Sequence, residues 1–186
     1  MKPQLRFSIA SIAFALLVLS CAAQEVATQK GPTVRLAPPA LTSITQGKSM
    51  PVELQFRVEN GFHINSNQPS EKYLIPTALT LDPPTDLVVG GTTYPPGKEA
   101  AFAFAPDEKL SVYTGDFTVT TNVRAMTSVL PGKYEIRGRL KYQACDNAQC
   151  YPPKTLPIQF EVKVVKPTVI KKNPAQSPHE HPPTSQ

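Results

Sequence analysis

Apolar and polar residues alternate with a period of two along several short stretches of the chain. The alternation is clearest in residues 156–164, and it recurs in residues 52–59 and 134–142. This period places every second side chain on one face, which is typical of a half-buried β-strand. Beyond the amino-terminal segment, no stretch sustains an apolar stripe at the helical period. The pattern therefore predicts strands rather than helices.

Shorter apolar runs predict further strands, with turn-forming residues between them. These runs are residues 33–36, 62–67, 74–81, 87–89 and 115–123. Asn60-Gly61 and the Pro pair after Asp82 supply turn signals. Residues 101–104 form an apolar patch, and we expect the charged residues 106–109 to be a loop. Seven or more short strands predict an all-β chain folded as an antiparallel β-sandwich.

The first twenty residues have the composition of a secretory signal. Two basic residues precede an apolar run, residues 9–19, that is too short to span a bilayer comfortably. Two processing routes stay open. Residues 18–21 resemble a bacterial lipobox, in which Cys21 would be lipidated, whereas the small residues 21–23 suit ordinary cleavage before Gln24.

These features predict four segments along the chain. We expect a signal peptide at residues 1–23, a tether at 24–32, the sandwich at 33–166, and a disordered Pro-rich tail at 167–186. Export would place the protein in the periplasm or cell envelope, where disulfides persist. No other segment has 18 continuous apolar residues, so a lipid on Cys21 is the membrane contact we expect.

Charge and histidine content argue against several classes of ligand. Without Lys2 and Arg6 the formal net charge falls from +5 to +3, and the charges are mixed along the chain, which favours neither nucleic acid nor a strongly anionic partner. His63 lies near one end of a predicted strand, where a lone histidine is usually structural. His179 and His181 lie in the tail, and one cysteine pair does not complete a zinc set. We expect no metal and no cofactor.

Two cysteines lie between the last two long predicted strands. The segment YQACDNAQCYPP places four residues between Cys145 and Cys150, a length that suits a hairpin loop. Cysteines facing each other across such a hairpin would have Cα atoms about 4.5 Å apart, within reach of a disulfide. A disulfide across so short a loop stabilises the fold by only about 2 kcal/mol. This low stabilisation modestly favours a redox role for the pair, and a purely structural disulfide remains the alternative.

Strand phase predicts where the first sulfur points. Residues 134, 136, 140, 142 and 144 share the apolar face, so continued alternation places Cys145 on the polar face with Arg137 and Arg139. We therefore expect Cys145 to be reachable from solvent. Asp146 is adjacent and anionic, which disfavours a thiolate, so we expect a weakly activated dithiol.

Several motifs in order resemble one family. They are GFHINSN at residues 61–67, YLIPT at 73–77, Tyr94-Pro95, PGKY at 131–134, and YQAC followed by CYPP around the cysteines. Together they resemble the amino-terminal periplasmic domain of DsbD thiol:disulfide interchange proteins, from about residue 52 to residue 165. The chain has four residues between its cysteines, where some members have five.

The resemblance implies an immunoglobulin-like sandwich and a role for each cysteine. Cys150 would form the mixed disulfide with a partner, and Cys145 would resolve it. A cap loop bearing an aromatic side chain would shield the pair near residues 102–109, with Phe104 as the aromatic, although a plain core role for this side chain stays open. Tyr142 and Tyr151 flank the pair, either as its aromatic surround or as tyrosines packing across strands.

Two functions remain in view. The first is a cell-envelope thiol:disulfide exchange domain that relays electrons through Cys145 and Cys150, as a protein-disulfide reductase would. Its partners would be periplasmic thioredoxin-like or disulfide-isomerase-type proteins. DsbD proteins carry their own transmembrane and thioredoxin-like domains, which this sequence lacks, so we expect a separate membrane electron donor. The alternative is a redox-inert, immunoglobulin-like interaction domain whose disulfide only fixes a hairpin.

Overall fold

A computed structural model describes residues 34–168, and this part of the chain consists of strands and their connections, without a helix. The strands are β1 (Val34–Leu36), β2 (Thr42–Thr45), β3 (Ser49–Val58), β4 (His63–Asn65), β5 (Ala78–Asp82), β6 (Leu87–Thr93), β7 (Lys98–Phe102), β8 (Ala105–Tyr113), β9 (Asp116–Ala125), β10 (Gly132–Tyr142), β11 (Ala144–Cys145) and β12 (Lys154–Val165). The prediction of an all-β chain is confirmed.

The strands form three four-stranded sheets. The first has the order β1-β3-β9-β6, the second β2-β12-β10-β5, and the third β11-β4-β8-β7. All strand pairs are antiparallel except β2 with β12. The first two sheets share one apolar core and make the immunoglobulin-like sandwich that was predicted. The third sheet carries both the cysteine segment and the β7–β8 hairpin.

The period-two stretches bury the side chains that the pattern selects. Along β3, every second residue from Val52 to Val58 is buried and the residues between are exposed. The same alternation runs along β12 from Ile158 to Val164. At the centre, the Phe56 ring on β3 stacks on Phe117 of β9, with ring centroids 5.3 Å apart. Burying such side chains is the main favourable contribution to folding here, at about 1.5–3 kcal/mol each.

Local sequence was a poorer guide in the smaller third sheet and its surroundings. The strand predicted over residues 74–81 begins only at Ala78, because Leu74 packs instead with Leu110 and Val112 in a separate small cluster. Residues 106–109, predicted as a loop, lie within β8. Paired with β7, this strand tolerates charged residues because much of its surface stays exposed. Strands β2 and β7 were not predicted.

Some predictions fall outside residues 34–168. They are the signal peptide, the tether, Cys21, and nearly all of the predicted tail with His179 and His181. Within the described residues, no segment forms a helix with the length and apolar character that a bilayer crossing requires.

Gly138 lies in β10 between β5 and β12, where the backbone of β5 comes very close to its Cα. A Cβ at this position would lie 2.3 Å from the Thr80 carbonyl oxygen and 3.0 Å from the Leu81 Cα. Backbone atoms of a paired strand cannot move aside cheaply. We expect Gly138→Ala to lower the free energy of unfolding by about 1–3 kcal/mol, measured by urea denaturation.

Gly132 in the same strand provides the matched control. A Cβ there meets nothing closer than a Tyr134 ring atom at 3.8 Å, which is ordinary contact. Gly132→Ala should therefore change the free energy of unfolding by less than about 0.5 kcal/mol. Equal effects of the two substitutions would show that the β5–β10 contact does not limit this site.

Candidate functional site

The chain crosses from the second sheet to the third at Gln143. Strand β10 ends one residue earlier, and β11 then pairs with β4, placing Ala144 opposite Ile64 and Cys145 opposite His63. The Gln143 side chain holds the crossover at three points. Its Oε1 accepts from Asn65 Nδ2 at 3.3 Å and from the Ile75 amide at 3.4 Å, and its Nε2 donates to the Tyr151 carbonyl at 3.2 Å.

Cys145 and Cys150 are joined by a disulfide. Their Cα atoms are 3.9 Å apart, closer than the sequence suggested, and the two residues form an isolated antiparallel bridge. One step outward, the Tyr151 amide donates to the Ala144 carbonyl at 2.8 Å. The cysteines therefore close a small hairpin of their own, set within the longer connection between β10 and β12.

Asp146 organises the turn between the cysteines. Its carboxylate accepts from the Ala148 and Gln149 amides at 2.7 and 2.8 Å, and from the Tyr151 hydroxyl at 2.7 Å. Its amide donates to the Gln149 carbonyl at 2.9 Å. These donors stabilise the anion, led by the Tyr151 hydroxyl, and lower the pKa of Asp146. The same contact raises the pKa of Tyr151, because a phenolate there would face a carboxylate.

The two sulfurs differ in access. Cys145 is fully buried, at 0% exposure, whereas Cys150 is half-buried. The prediction that Cys145 lies on the polar face is wrong. The alternation of β10 ends at Tyr142, and the step into the third sheet at Gln143 resets the phase, so that Ala144 and Cys145 are both buried. Only the second cysteine is open to a visiting molecule.

His63 is the strand partner of Cys145, and its side chain is 3% exposed. The imidazole stacks on Phe102 with ring centroids 3.8 Å apart, and Phe104 lies 5.6 Å from Phe102 in the same orientation. Its Nε2 atom is buried without a hydrogen-bond partner. Burial lowers the pKa of His63 to about 4, against a smaller opposing effect of Asp146. The ring is therefore neutral at physiological pH.

The aromatic residues predicted around the cysteines have different surroundings. Tyr142 is 3% exposed within the main core, and its hydroxyl accepts from the Val34 amide at 3.4 Å. Tyr151 lies edge-on to Phe62 with ring centroids 6.0 Å apart. Phe104 follows β7 at the turn into β8 and packs on the small Leu74–Leu110–Val112 cluster. The β7–β8 turn thus meets the disulfide region through His63.

A cleft opens beside the cysteine hairpin. Its wall includes Phe62, His63 and Phe102, together with Asn147 from the turn between the cysteines. Glu59 also lines it. Within residues 34–168, no three His, Cys, Asp or Glu side chains cluster as a metal site would require.

Sequence reasoning treated His63 as a structural residue and missed its pairing with Cys145. It also missed Gln143, which no motif distinguished. The available signal was the GFHIN element itself, because this element and the YQAC element both belong to the resemblance. The two elements pair in the structure although they are far apart in sequence.

The buried imidazole should make the stability of the oxidised protein depend on pH. An unfolded histidine titrates near pH 6.5, while the folded value for His63 is about 4, so the unfolded chain takes up the proton first as pH falls. The contribution is complete above pH 6.5 and is lost as pH falls toward 4. We expect the free energy of unfolding to fall by about 2 kcal/mol between pH 7.5 and 5, measured with urea.

His63→Phe provides the control, because it keeps an aromatic ring against Phe102 and removes the titrating nitrogens. This variant should lose most of the change in that pH range. A slope equal to that of the natural protein would assign the acid sensitivity to other groups.

Comparison with known proteins agrees with the motifs. The family model described as "Thiol:disulfide interchange protein DsbD, N-terminal" matches residues 34–161, well over half of the 186-residue chain. No curated protein matches the chain.

Solved structures resemble this fold only loosely. The reduced Neisseria meningitidis DsbD amino-terminal domain is 21% identical, with 66% of this chain and 82% of that chain covered and a TM-score of 0.39. The seventh ScaB type I cohesin of Pseudobacteroides cellulosolvens is 12% identical, with 79% and 98% covered and a TM-score of 0.42. Similarity at this level carries no argument about the site. The family match does: this chain belongs to the family of DsbD amino-terminal domains.

Proposed function

We propose that this protein is a thiol:disulfide exchange domain that cycles Cys145 and Cys150 between dithiol and disulfide. The observation that carries the proposal is the disulfide itself, with one sulfur buried and the other half-exposed. An exchange site needs one sulfur that a partner can reach. It also needs a second sulfur that stays close to the first and does not react with arbitrary disulfides.

The exchange proceeds in two displacements. The Cys150 thiolate attacks one sulfur of a partner disulfide, which forms a mixed disulfide and releases the other partner sulfur as a thiolate. The Cys145 thiolate then attacks the Cys150 sulfur, closes the internal disulfide and releases the second partner sulfur. Two electrons pass to the partner, and its thiolates take up the two protons that the cysteines lost. Burial of Cys145 supports its role as the resolving sulfur.

The proposed setting is the periplasm or cell envelope, in agreement with the family. The partners to be reduced would be thioredoxin-like or disulfide-isomerase-type proteins, whose disulfides are exposed enough to meet Cys150. The oxidised domain would then be reduced by a dithiol of a separate membrane electron donor, through the same two displacements in reverse. A lipid on Cys21 would hold the domain at the membrane where that donor lies.

We further propose that the β7–β8 turn acts as a cap on the cysteine pair, with Phe104 as its aromatic residue. The stack from Phe104 through Phe102 to His63 supports this assignment, because His63 is the strand neighbour of Cys145. Tyr151 would form part of the surround through its bond to Asp146. Tyr142 would support the site from inside the core.

Replacing the buried sulfur should trap partners. In Cys145→Ala, the accessible Cys150 can form a mixed disulfide that no internal thiol resolves. We expect discrete adducts on a non-reducing gel of envelope extract, which a reductant releases and mass spectrometry identifies as proteins with a thioredoxin-like dithiol.

The reciprocal variant is the matched control. Cys150→Ala keeps only the buried Cys145 and should form adducts at least about tenfold more weakly, since disulfide exchange depends on access to the attacking sulfur. Equal trapping by both variants would contradict the assigned roles. If Cys145→Ala traps nothing, the disulfide is a static bridge in an interaction domain.

Loss of the cap should expose the disulfide. We expect Phe104→Ala to raise the rate at which dithiothreitol reduces Cys145–Cys150 several-fold, because the rate of disulfide exchange depends on access to the sulfurs. Alkylation of the released thiols under quenched conditions measures the rate. Leu130→Ala, which truncates an apolar side chain already 74% exposed, is the control and should leave the rate unchanged. Equal reduction rates in both variants would show that Phe104 does not shield the disulfide.

A further inference from the structure

His63 and Cys145 occupy directly opposite positions on β4 and β11. Opposite residues of an antiparallel pair project from the same face, with Cβ atoms about 4.5–5.5 Å apart. The imidazole therefore lies on the same side of the sheet as the Cys145 sulfur. Both side chains are also buried from solvent.

The imidazole has an unused nitrogen. His63 Nε2 is buried and has no hydrogen-bond partner in the disulfide form, although one face of the ring is covered by Phe102. A buried polar atom without a partner is unfavourable and rare, and a redox or catalytic role is one recognised explanation for it. Reduction of the disulfide creates a new hydrogen-bond donor, the Cys145 thiol, on the residue paired with His63.

We propose that His63 is the proton acceptor for Cys145 in the resolving step of the exchange reaction. This inference rests on the proposed function and assigns a catalytic group to it. In the tautomer protonated at Nδ1, Nε2 presents a lone pair to the thiol. The stack on Phe102 fixes the plane of the ring, and the strand pairing fixes its distance from the sulfur.

The proton balance is closed within the site. The Cys145 thiol gives its proton to His63 Nε2 as the sulfur attacks Cys150 in the mixed disulfide. The bond between Cys150 and the partner sulfur breaks, and the partner sulfur leaves as a thiolate. That thiolate takes the proton from the imidazolium, so His63 returns to its neutral form. In the reverse reaction, the same nitrogen returns the proton to Cys145 when the internal disulfide opens.

Burial disfavours a positive charge on the ring, and one nearby carboxylate partly offsets this effect. Asp146 on the cysteine turn attracts the imidazolium and acts against the effect of burial. Glu59 lines the same cleft. On the β7–β8 side, the ring meets the apolar Phe102 and Phe104. The resting neutral ring can therefore accept a proton during the reaction without keeping it afterwards.

Reaction of the reduced protein with equimolar 5,5′-dithiobis(2-nitrobenzoate) separates the two displacements. Attack by Cys150 releases a first nitrothiobenzoate, and resolution by Cys145 releases a second, so stopped-flow absorbance gives both rates. We expect His63→Phe to slow the second phase about tenfold or more near neutral pH, as loss of a general base does. The deficit should shrink as pH rises, because hydroxide then removes the thiol proton.

The outcomes distinguish the inference from the function on which it rests. If the natural protein releases only the first equivalent, the exchange function fails. If it releases both and His63→Phe slows the second by less than about tenfold, the proton-acceptor role is wrong. Slowing by one constant factor at every pH would also overturn it, because a displaced sulfur, unlike a missing base, is slow at all pH values. His63→Gln repeats the test if His63→Phe does not fold.

Nitrogen NMR on the natural ring provides a second measurement. In a chain with His179→Gln and His181→Gln, the remaining histidine resonances belong to His63. We expect its Nε2 to be unprotonated and its resonance to shift on reduction, as a thiol begins to donate to it. In reduced Cys145→Ala, the resonance should stay at its position in the disulfide form. An Nε2 that is protonated in the disulfide form, or that does not respond to reduction, would overturn the proposal.

Discussion

The pairing of β11 with β4 is the constraint on which the site depends. This two-residue strand places Cys145 opposite His63 and removes its sulfur from solvent. A slip of one residue would turn Cys145 to the other face of the sheet, because side chains alternate. Gln143 opposes such a slip, since its side chain forms hydrogen bonds with Asn65 of β4, with Ile75 in the segment that follows, and with Tyr151 just after Cys150. One amide side chain thus helps to hold the register that buries Cys145.

The sandwich could be predicted from sequence because its long strands have one buried and one exposed face. Strands β3 and β12 carry that period directly in their residues. The third sheet could not be predicted in the same way. Strand β8 is charged near its start and apolar near its end, and its burial follows from packing against the small Leu74 cluster rather than from alternation. Tertiary contacts, which local patterns do not encode, decide these elements.

The cysteine pair could be predicted from the sequence, but the burial and the neighbours of each cysteine could not. Spacing and motif order gave the disulfide and the family, and both are confirmed. The burial of Cys145 was predicted wrongly, because the phase argument assumed an unbroken strand and β10 ends at Tyr142. The contact with His63 joins residues far apart in sequence, and only the strand register reveals it.

The hydrogen bonds of Asp146 affect how much the chain changes between the oxidised and reduced forms. Its carboxylate and amide close the turn between the cysteines through Ala148, Gln149 and Tyr151, and none of these bonds involves sulfur. We expect the turn to persist when the sulfurs separate, so that little chain entropy is released on opening and little must be lost on closing. The domain would then accept and pass on electrons with the backbone of this turn unchanged between its reduced and oxidised forms.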